Sequence, residues 1–186
     1  LGMTCVITDH HEVPYEIHGN QKKHILPPAA AIVDPKQENC EYPYKNICGG
    51  VVAWKLISKL WENREIADCY KREVLEFATI CDVMELLDEN RIIVKAALKS
   101  MADSANTGLR ALMKVHDLSG DRLLAYHIGF VLGPCFNATG RLDTAARTLE
   151  LLECKSEREA VFLAAELKQM NESRKEMTEE GVLAAV

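Results

Sequence analysis

The chain has 186 residues, of which 48% are hydrophobic and 27% are charged, as expected for a globular protein with one core. No run approaches the roughly 18 apolar residues that a membrane span needs, and residues 1–8 lack the pattern of a signal peptide, so we predict a cytoplasmic protein. The formal net charge of −6 argues against a protein that simply coats nucleic acid. Any binding to nucleic acid would therefore be local, helped by bound cations or by segments outside the chain.

The cysteines suggest neither a disulfide framework nor a structural zinc site. The chain has seven cysteines, an odd number, and none of them belongs to a Cys-x-x-Cys pair. We expect mostly reduced, partly buried thiols among these residues, which are Cys5, Cys40, Cys48, Cys69, Cys81, Cys135 and Cys154.

Two short strands are predicted near the start of the chain. Met3–Thr8 is β-branched and apolar on both faces, which is typical of a buried, central parallel strand, and it runs directly into Asp9. Ala29–Val33 follows two prolines and stops at Asp34, where a turn-forming pair disfavours helix. We expect a polar, irregular loop between the strands, and uncovered apolar surface along the first one, because a chain that begins in a core strand looks truncated.

From Gly49 onward the apolar spacing predicts helices. Ser156–Glu159 is a capping-box pattern that begins a final helix reaching towards Met177, roughly 30 Å long at about 1.5 Å per residue. Its charged surface leaves two interpretations open, a solvated terminal helix or a connector to another domain. After the helix that starts at Gly49, the other predicted helices are Ile66–Thr79, Arg91–Met101, Gly108–Val115, Arg122–Phe130 and Asp143–Glu153.

The pattern as a whole predicts an α/β fold, with a parallel sheet at the start and a mainly helical region afterwards. We expect one domain over residues 1–155 and a long connector helix over residues 156–186. No internal repeat or low-complexity tract interrupts this arrangement.

The first candidate site is the acid and histidine pair that ends the first strand. Asp9, His10 and His11 lie where open α/β sheets hold their ligands, beyond the carboxyl end of a strand. Neighbouring side chains on a strand point to opposite faces, so the three can converge only if the backbone turns there. Mixed carboxylate and imidazole ligands suit Mn²⁺ first, then Mg²⁺, Fe²⁺ or Zn²⁺. The alternative is an ordinary hydrogen-bonded loop.

A second candidate is Asp82, which lies inside the apolar stretch 78–84. Burying its carboxylate would be costly without a cation or hydrogen-bond partners. The same residue could instead cap a helix or form a turn.

A third candidate is the segment Gly129–Leu142, in which glycines and a proline interrupt an apolar run. It predicts a loop that brings together the side chains of Asn137, Thr139 and Arg141. A guanidinium among small residues is a good phosphate clamp. The alternative is a structural loop in which Arg141 pairs with a nearby carboxylate such as Asp143.

Taken together, six blocks of the chain resemble, in order and in approximate spacing, the DHH domain of RecJ-type exonucleases. The resemblance covers nearly the whole chain, and an ordered set is far more specific than any one motif. The blocks are Gly2–His11, Leu26–Lys36, Gly49–Leu56, Thr79–Val83 with Leu87–Arg91, Asn106–Leu112 and Gly133–Leu142.

This resemblance implies a hydrolase that removes nucleotides from the 5′ end of single-stranded DNA with Mn²⁺ or Mg²⁺, in recombination and repair. It makes Asp9, His10, His11 and Asp82 the metal ligands. It also places the asparagine and arginine of the third segment, Asn137 and Arg141, beside the DNA phosphates. Besides single-stranded DNA, a single-stranded-DNA-binding protein is a candidate partner.

The sequence departs from the family's pattern in two respects. The family's first acidic motif, an Asp-x-Asp-type cluster upstream of the DHH strand, and its next acidic motif are expected to be absent, because the chain starts too late to contain them. We therefore expect this fragment to lack part of a two-metal site and to be inactive. At Cys135, similar proteins often carry an arginine. Two alternatives stay open: a DHH-family phosphoesterase of short oligonucleotides or cyclic dinucleotides, and a non-catalytic DHH-fold binding module.

Overall fold

The computed structural model describes residues 2–19, 21–60, 72–118, 122–142 and 144–185. The chain divides into two compact units, Leu1–Val94 and Lys95–Val186. The division between these units falls at Val94, and the domain boundary near residue 155 stays a prediction.

The first unit contains a small parallel sheet, as the sequence predicted. Strand β1 (Val6–Thr8) pairs in parallel with β4 (Ala31–Val33), and Val6 lies opposite Ala31. Val6 is 57% exposed, which agrees with the uncovered apolar surface expected along β1 in this chain. Among the described residues β1 pairs with β4 alone, and a strand is buried on both faces only where further elements cover it.

An antiparallel hairpin lies between these strands, so the prediction of an irregular loop is wrong. Strands β2 (Tyr15–His18) and β3 (Gln21–His24) pair along their whole length. Gly19 in the turn has a φ of +63°, a left-handed conformation that glycine adopts without strain. Gly19 is the feature of the sequence from which this turn could have been predicted.

Three helices follow: α1 (Gly49–Leu60), α2 (Arg72–Cys81) and α3 (Asp88–Ser100). The start of α1 at Gly49 and the helix over residues 72–79 are confirmed, while residues 66–71 of the predicted second helix lie outside the described residues. A Cβ atom at Gly50 would lie 2.9 Å from the Cβ atom of Ala78, so α1 and α2 pack closely at that point. The core beside them is formed by Ile47, Cys48, Val51, Val52 and Leu75.

The second unit is helical. The side chain of Asn106 caps its first helix by accepting a hydrogen bond from the Leu109 amide at 3.0 Å. After a 3₁₀ turn at Met101–Asp103, the elements are α4 (Thr107–Val115), α5 (Ala125–His127), a π-helical turn (Ile128–Leu132), α6 (Gly133–Leu142), α7 (Ala146–Glu153) and α8 (Glu157–Ala185).

The structure corrects the sequence prediction around Pro134. Neither a helix ending at Phe130 nor a loop over Gly129–Leu142 is present, because the π-helical turn continues directly into α6. The Gly133 amide donates to the Ile128 carbonyl, five residues earlier. This wide turn immediately precedes the proline, which has no amide hydrogen and would clash with an ordinary helical turn.

The long helix α8 has 29 residues, more than the sequence predicted, which corresponds to about 44 Å at about 1.5 Å per residue. Its predicted start is supported by the Glu159 amide, which donates to the Ser156 hydroxyl at 3.4 Å. The first half buries Leu163 and Leu167 within the helical unit, whereas the second half is exposed. None of the described helices is both long and apolar enough to cross a membrane.

Candidate metal centre

The candidate centre begins where β1 ends. The Asp9 amide donates to the Val33 carbonyl at 3.0 Å, so the residue is still held by the sheet. The chain then turns, and Asp9 Oδ1 accepts hydrogen bonds from the amides of His10 at 2.8 Å and His11 at 3.3 Å. This is the backbone turn that allows three consecutive side chains to face one site.

The three side chains converge as the sequence suggested. One potential ligand atom from each of Asp9, His10 and His11 lies within 4.8 Å of the others. His11 Nδ1 lies 2.7 Å from Asp9 Oδ1. The hydrogen bond from the His11 ring, followed by that from the His10 amide, lowers the pKa of Asp9 below its usual range. The Asp9 carboxylate is therefore ionised at neutral pH.

Asp82 joins this group through His10. The His10 Nε2 atom lies 3.2 Å from Asp82 Oδ2. The Asp82 amide donates to the Ala78 carbonyl at 3.0 Å, so the carboxylate follows the C-terminus of α2, the end where negative charge is unfavourable. Asp82 lies in the turn that follows α2, one of the two alternatives that the sequence left open. Its side chain is 44% exposed, so the cost of burial expected from the apolar stretch does not arise, and the contact with His10 is what places it at this centre.

Gly49 positions His10 from the other side, a role that the sequence did not indicate. A Cβ atom at Gly49 would lie 3.2 Å from His10 Cδ2 and 3.7 Å from Nε2. The first residue of α1 thus lies directly against the imidazole. The His10 side chain is only 15% exposed, whereas that of His11 is 78% exposed. His10 is therefore the more firmly held of the two histidines.

The thiol of Cys81, the residue before Asp82, does not add a soft ligand to this centre. Burial, together with the charge of Asp82, raises the pKa of Cys81 to about 11. The thiol is protonated at neutral pH and is a poor metal ligand in that form. The donor set at this centre is thus carboxylate and imidazole, which fits Mn²⁺ well.

The two predicted phosphate contacts lie in the second unit, on α6. Asn137 is exposed, and Arg141 follows four residues later, so the helix places both on one face. The Arg141 side chain lies outside the described part of the chain. Thr139, predicted to be a third donor, is instead buried, and its hydroxyl donates to the Phe136 carbonyl at 2.8 Å. Thr139 therefore has a structural role.

Cys135, where similar proteins often carry an arginine, is packed inside the helical unit. Its Sγ atom lies 3.3 Å from His116 Nε2. Burial raises the pKa of this thiol to about 11. A neutral, buried thiol at this position offers no phosphate contact.

No model of a known protein family matches the chain, but individual proteins do. The single-stranded-DNA-specific exonuclease RecJ of Bacillus subtilis is 37% identical over 180 residues, which cover 95% of this chain and 21% of that protein. The RecJ protein of Salmonella typhimurium is 34% identical over 197 residues, which cover 99% of this chain and 32% of that protein. The chain thus spans about a fifth to a third of the length of these relatives.

Solved structures agree with these relatives. A crystal structure of exonuclease RecJ bound to manganese matches 100% of this chain and 44% of its own, with a TM-score of 0.78 and 29% identity. RecJ of Thermus thermophilus in complex with Mg²⁺ matches 83% of this chain and 24% of its own, with a TM-score of 0.67 and 29% identity. In sequence and in fold, nearly the whole chain is similar to a part of RecJ-type single-stranded-DNA-specific exonucleases.

Proposed function

We propose that this chain provides the metal-binding part of a RecJ-like exonuclease that degrades single-stranded DNA from its 5′ end. The relatives are single-stranded-DNA-specific exonucleases. The observation that carries the proposal is the contact between His10 and Asp82, two residues 72 positions apart, next to the cluster of Asp9 and His11.

Asp9, His10, His11 and Asp82 are the residues that would hold Mn²⁺ or Mg²⁺, the ions in the related crystal structures. Bound there, a divalent cation supplies Lewis-acid polarisation of the scissile phosphodiester.

The chain's own residues prepare this site before any substrate arrives. The amides of His10 and His11 fix the Asp9 carboxylate, and the contact with Gly49 fixes the His10 ring. Ligands that are already oriented lose little conformational freedom on binding, which favours coordination with a defined geometry.

Asn137 and Arg141 are the proposed phosphate contacts. An amide and a guanidinium on one helix face can donate to two oxygens of the same backbone. No aspartate or glutamate occurs between Arg122 and Leu142, in a chain whose net charge is −6. This segment is therefore favourable for an anion.

We extend this proposal to the role and the domains of the whole protein. Degradation of single strands suits DNA repair and recombination, with a single-stranded-DNA-binding protein as partner. We place the catalytic domain in residues 1–155, with α8 as a connector. A two-metal site needs more carboxylates than Asp9 and Asp82, so the chain by itself should bind metal weakly and have little nuclease activity.

The experiment is a substrate panel for the complete protein in Mn²⁺. It contains end-labelled single-stranded DNA, duplex DNA, a dinucleotide and a cyclic dinucleotide. We expect single-stranded DNA to be shortened from its 5′ end, with duplex DNA resistant. Hydrolysis confined to the small substrates would instead indicate a phosphoesterase, and binding without hydrolysis of any substrate a binding module. Strong nuclease activity of the isolated 186-residue chain would contradict the proposal that this chain lacks some ligands of a two-metal site.

A further inference from the structure

The hairpin of β2 and β3 presents two chemically different faces. Its register places Tyr15 opposite His24 and Ile17 opposite Lys22. Because side chains alternate along a strand, these four residues share one face, here called the hairpin face. The opposite face carries Glu16, His18, Gln21 and Lys23.

The hairpin face combines a lysine and a histidine with exposed ring and aliphatic surface. Lys22 Nζ lies 4.5 Å from the centre of the Tyr15 ring. Tyr15 is 47% exposed and Ile17 is 69% exposed. The hairpin's one carboxylate, that of Glu16, lies on the other face, where it contacts His18 at 3.2 Å.

This chemistry fits single-stranded nucleic acid. Aromatic rings stack on unpaired bases, and lysines neutralise the phosphates between them. The net charge of −6 makes such a face unusual on this chain. The nearby acid Glu12 is paired mainly with Lys36, at 2.7 Å, and interacts less strongly with His24.

The hairpin starts close to the candidate metal centre. The Ile25 amide donates to the Pro14 carbonyl at 2.7 Å and so closes the base of the hairpin. Pro14 is three residues after His11, and three residues span at most about 11 Å. A DNA strand with one phosphate at the metal centre would therefore pass within reach of the hairpin.

We propose that the hairpin face binds the single-stranded DNA substrate beside the metal centre. Tyr15 contacts a base, and Lys22 and His24 contact phosphates. This inference rests on the proposed exonuclease function and adds a substrate-binding element in the first unit, whereas Asn137 and Arg141 belong to the second.

The test measures the affinity of the complete protein for a fluorescent single-stranded oligonucleotide, without metal, at several salt concentrations. Tyr15→Ala should weaken binding by about 5- to 100-fold, the range expected for one lost base stack. Lys22→Ala should weaken binding and reduce the slope of log K against log salt by about 0.7, as expected for one lost phosphate contact. Lys23→Ala on the opposite face is the matched control and should change affinity less than twofold.

The outcomes separate this inference from the function on which it rests. If wild-type protein degrades single-stranded DNA but Tyr15→Ala and Lys22→Ala bind it normally, the hairpin proposal is overturned and the exonuclease stands. If Lys23→Ala weakens binding as much as Lys22→Ala, the assigned face is wrong. If the wild-type protein neither binds nor degrades single-stranded DNA, both proposals are overturned. All three side chains are exposed, so unchanged circular dichroism should confirm that the variants fold.

Discussion

His10 Nε2 lies 3.2 Å from Asp82 Oδ2, although 72 positions separate the two residues in the chain. In the complete protein we expect Asp82→Ala to abolish turnover at saturating DNA while leaving DNA affinity largely intact. The reason is that a metal ligand matters mainly in the transition state. Single-turnover kinetics and filter binding measure the two effects. Asp103→Ala, an exposed acid of the second unit, is the control and should change neither.

Substitution of Arg141 should affect DNA binding and not turnover, in contrast to substitution of Asp82, because Arg141 is a proposed phosphate contact. Arg141→Ala should weaken DNA binding by about 1–3 kcal/mol, typical of a lost charge-assisted hydrogen bond, and should reduce its salt dependence. Arg147→Ala is the matched control, since that guanidinium pairs with Glu150 at 3.1 Å. If Arg141→Ala changed only the rate and Asp82→Ala only the affinity, the two roles would have to be exchanged.

The sequence was sufficient to predict those parts of the candidate site whose residues are neighbours in the chain. Asp9, His10 and His11 are adjacent, so a strand that ends in them already indicates their chemistry. The contact of Gly49 with His10 could not be predicted, because it depends on how closely α1 approaches β1. The continuous helix through Pro134 was missed because the wide π turn that accommodates the proline has no simple sequence pattern.

Gly108 should be essential for stability in the helical unit. A Cβ atom at this position of α4 would overlap the Leu151 carbonyl oxygen, which is backbone and cannot easily move. We expect Gly108→Ala to lower the free energy of unfolding by about 1–3 kcal/mol, as overpacking does. Urea titrations followed by circular dichroism measure this. Gly181→Ala, where the added Cβ meets open space on α8, should not lower stability. Equal effects of the two substitutions would contradict the packing argument.

His116 should make the stability of the helical unit depend on pH. Burial lowers the pKa of its imidazole, and Lys168 adds to the effect, while Glu172 opposes it; Lys175 and Asp117 are the other charges that act on it. The unfolded chain, with an ordinary pKa near 6.5, then binds more protons than the folded chain. The stabilisation is therefore present above about pH 6.5 and is lost as the pH falls through the folded pKa.

The measurement is the urea midpoint at pH 7.5 and pH 5.5. Wild-type chain should lose stability at the lower pH, and His116→Gln should flatten this dependence. His18→Gln, in the exposed hairpin, should leave it unchanged. An unaltered pH dependence in His116→Gln would show that other groups cause it.

The claim that the Asp9, His10 and His11 cluster binds a divalent cation is tested most directly by paramagnetic broadening. Substoichiometric Mn²⁺ is added to the chain, and the imidazole resonances of its six histidines are recorded by NMR. We predict that the signals of His10 and His11 broaden first, and that Asp9→Asn removes this selectivity. His116 and His127, in the other unit, serve as internal references. Broadening spread evenly over all six histidines, or selective broadening that survives Asp9→Asn, would contradict the proposed metal centre.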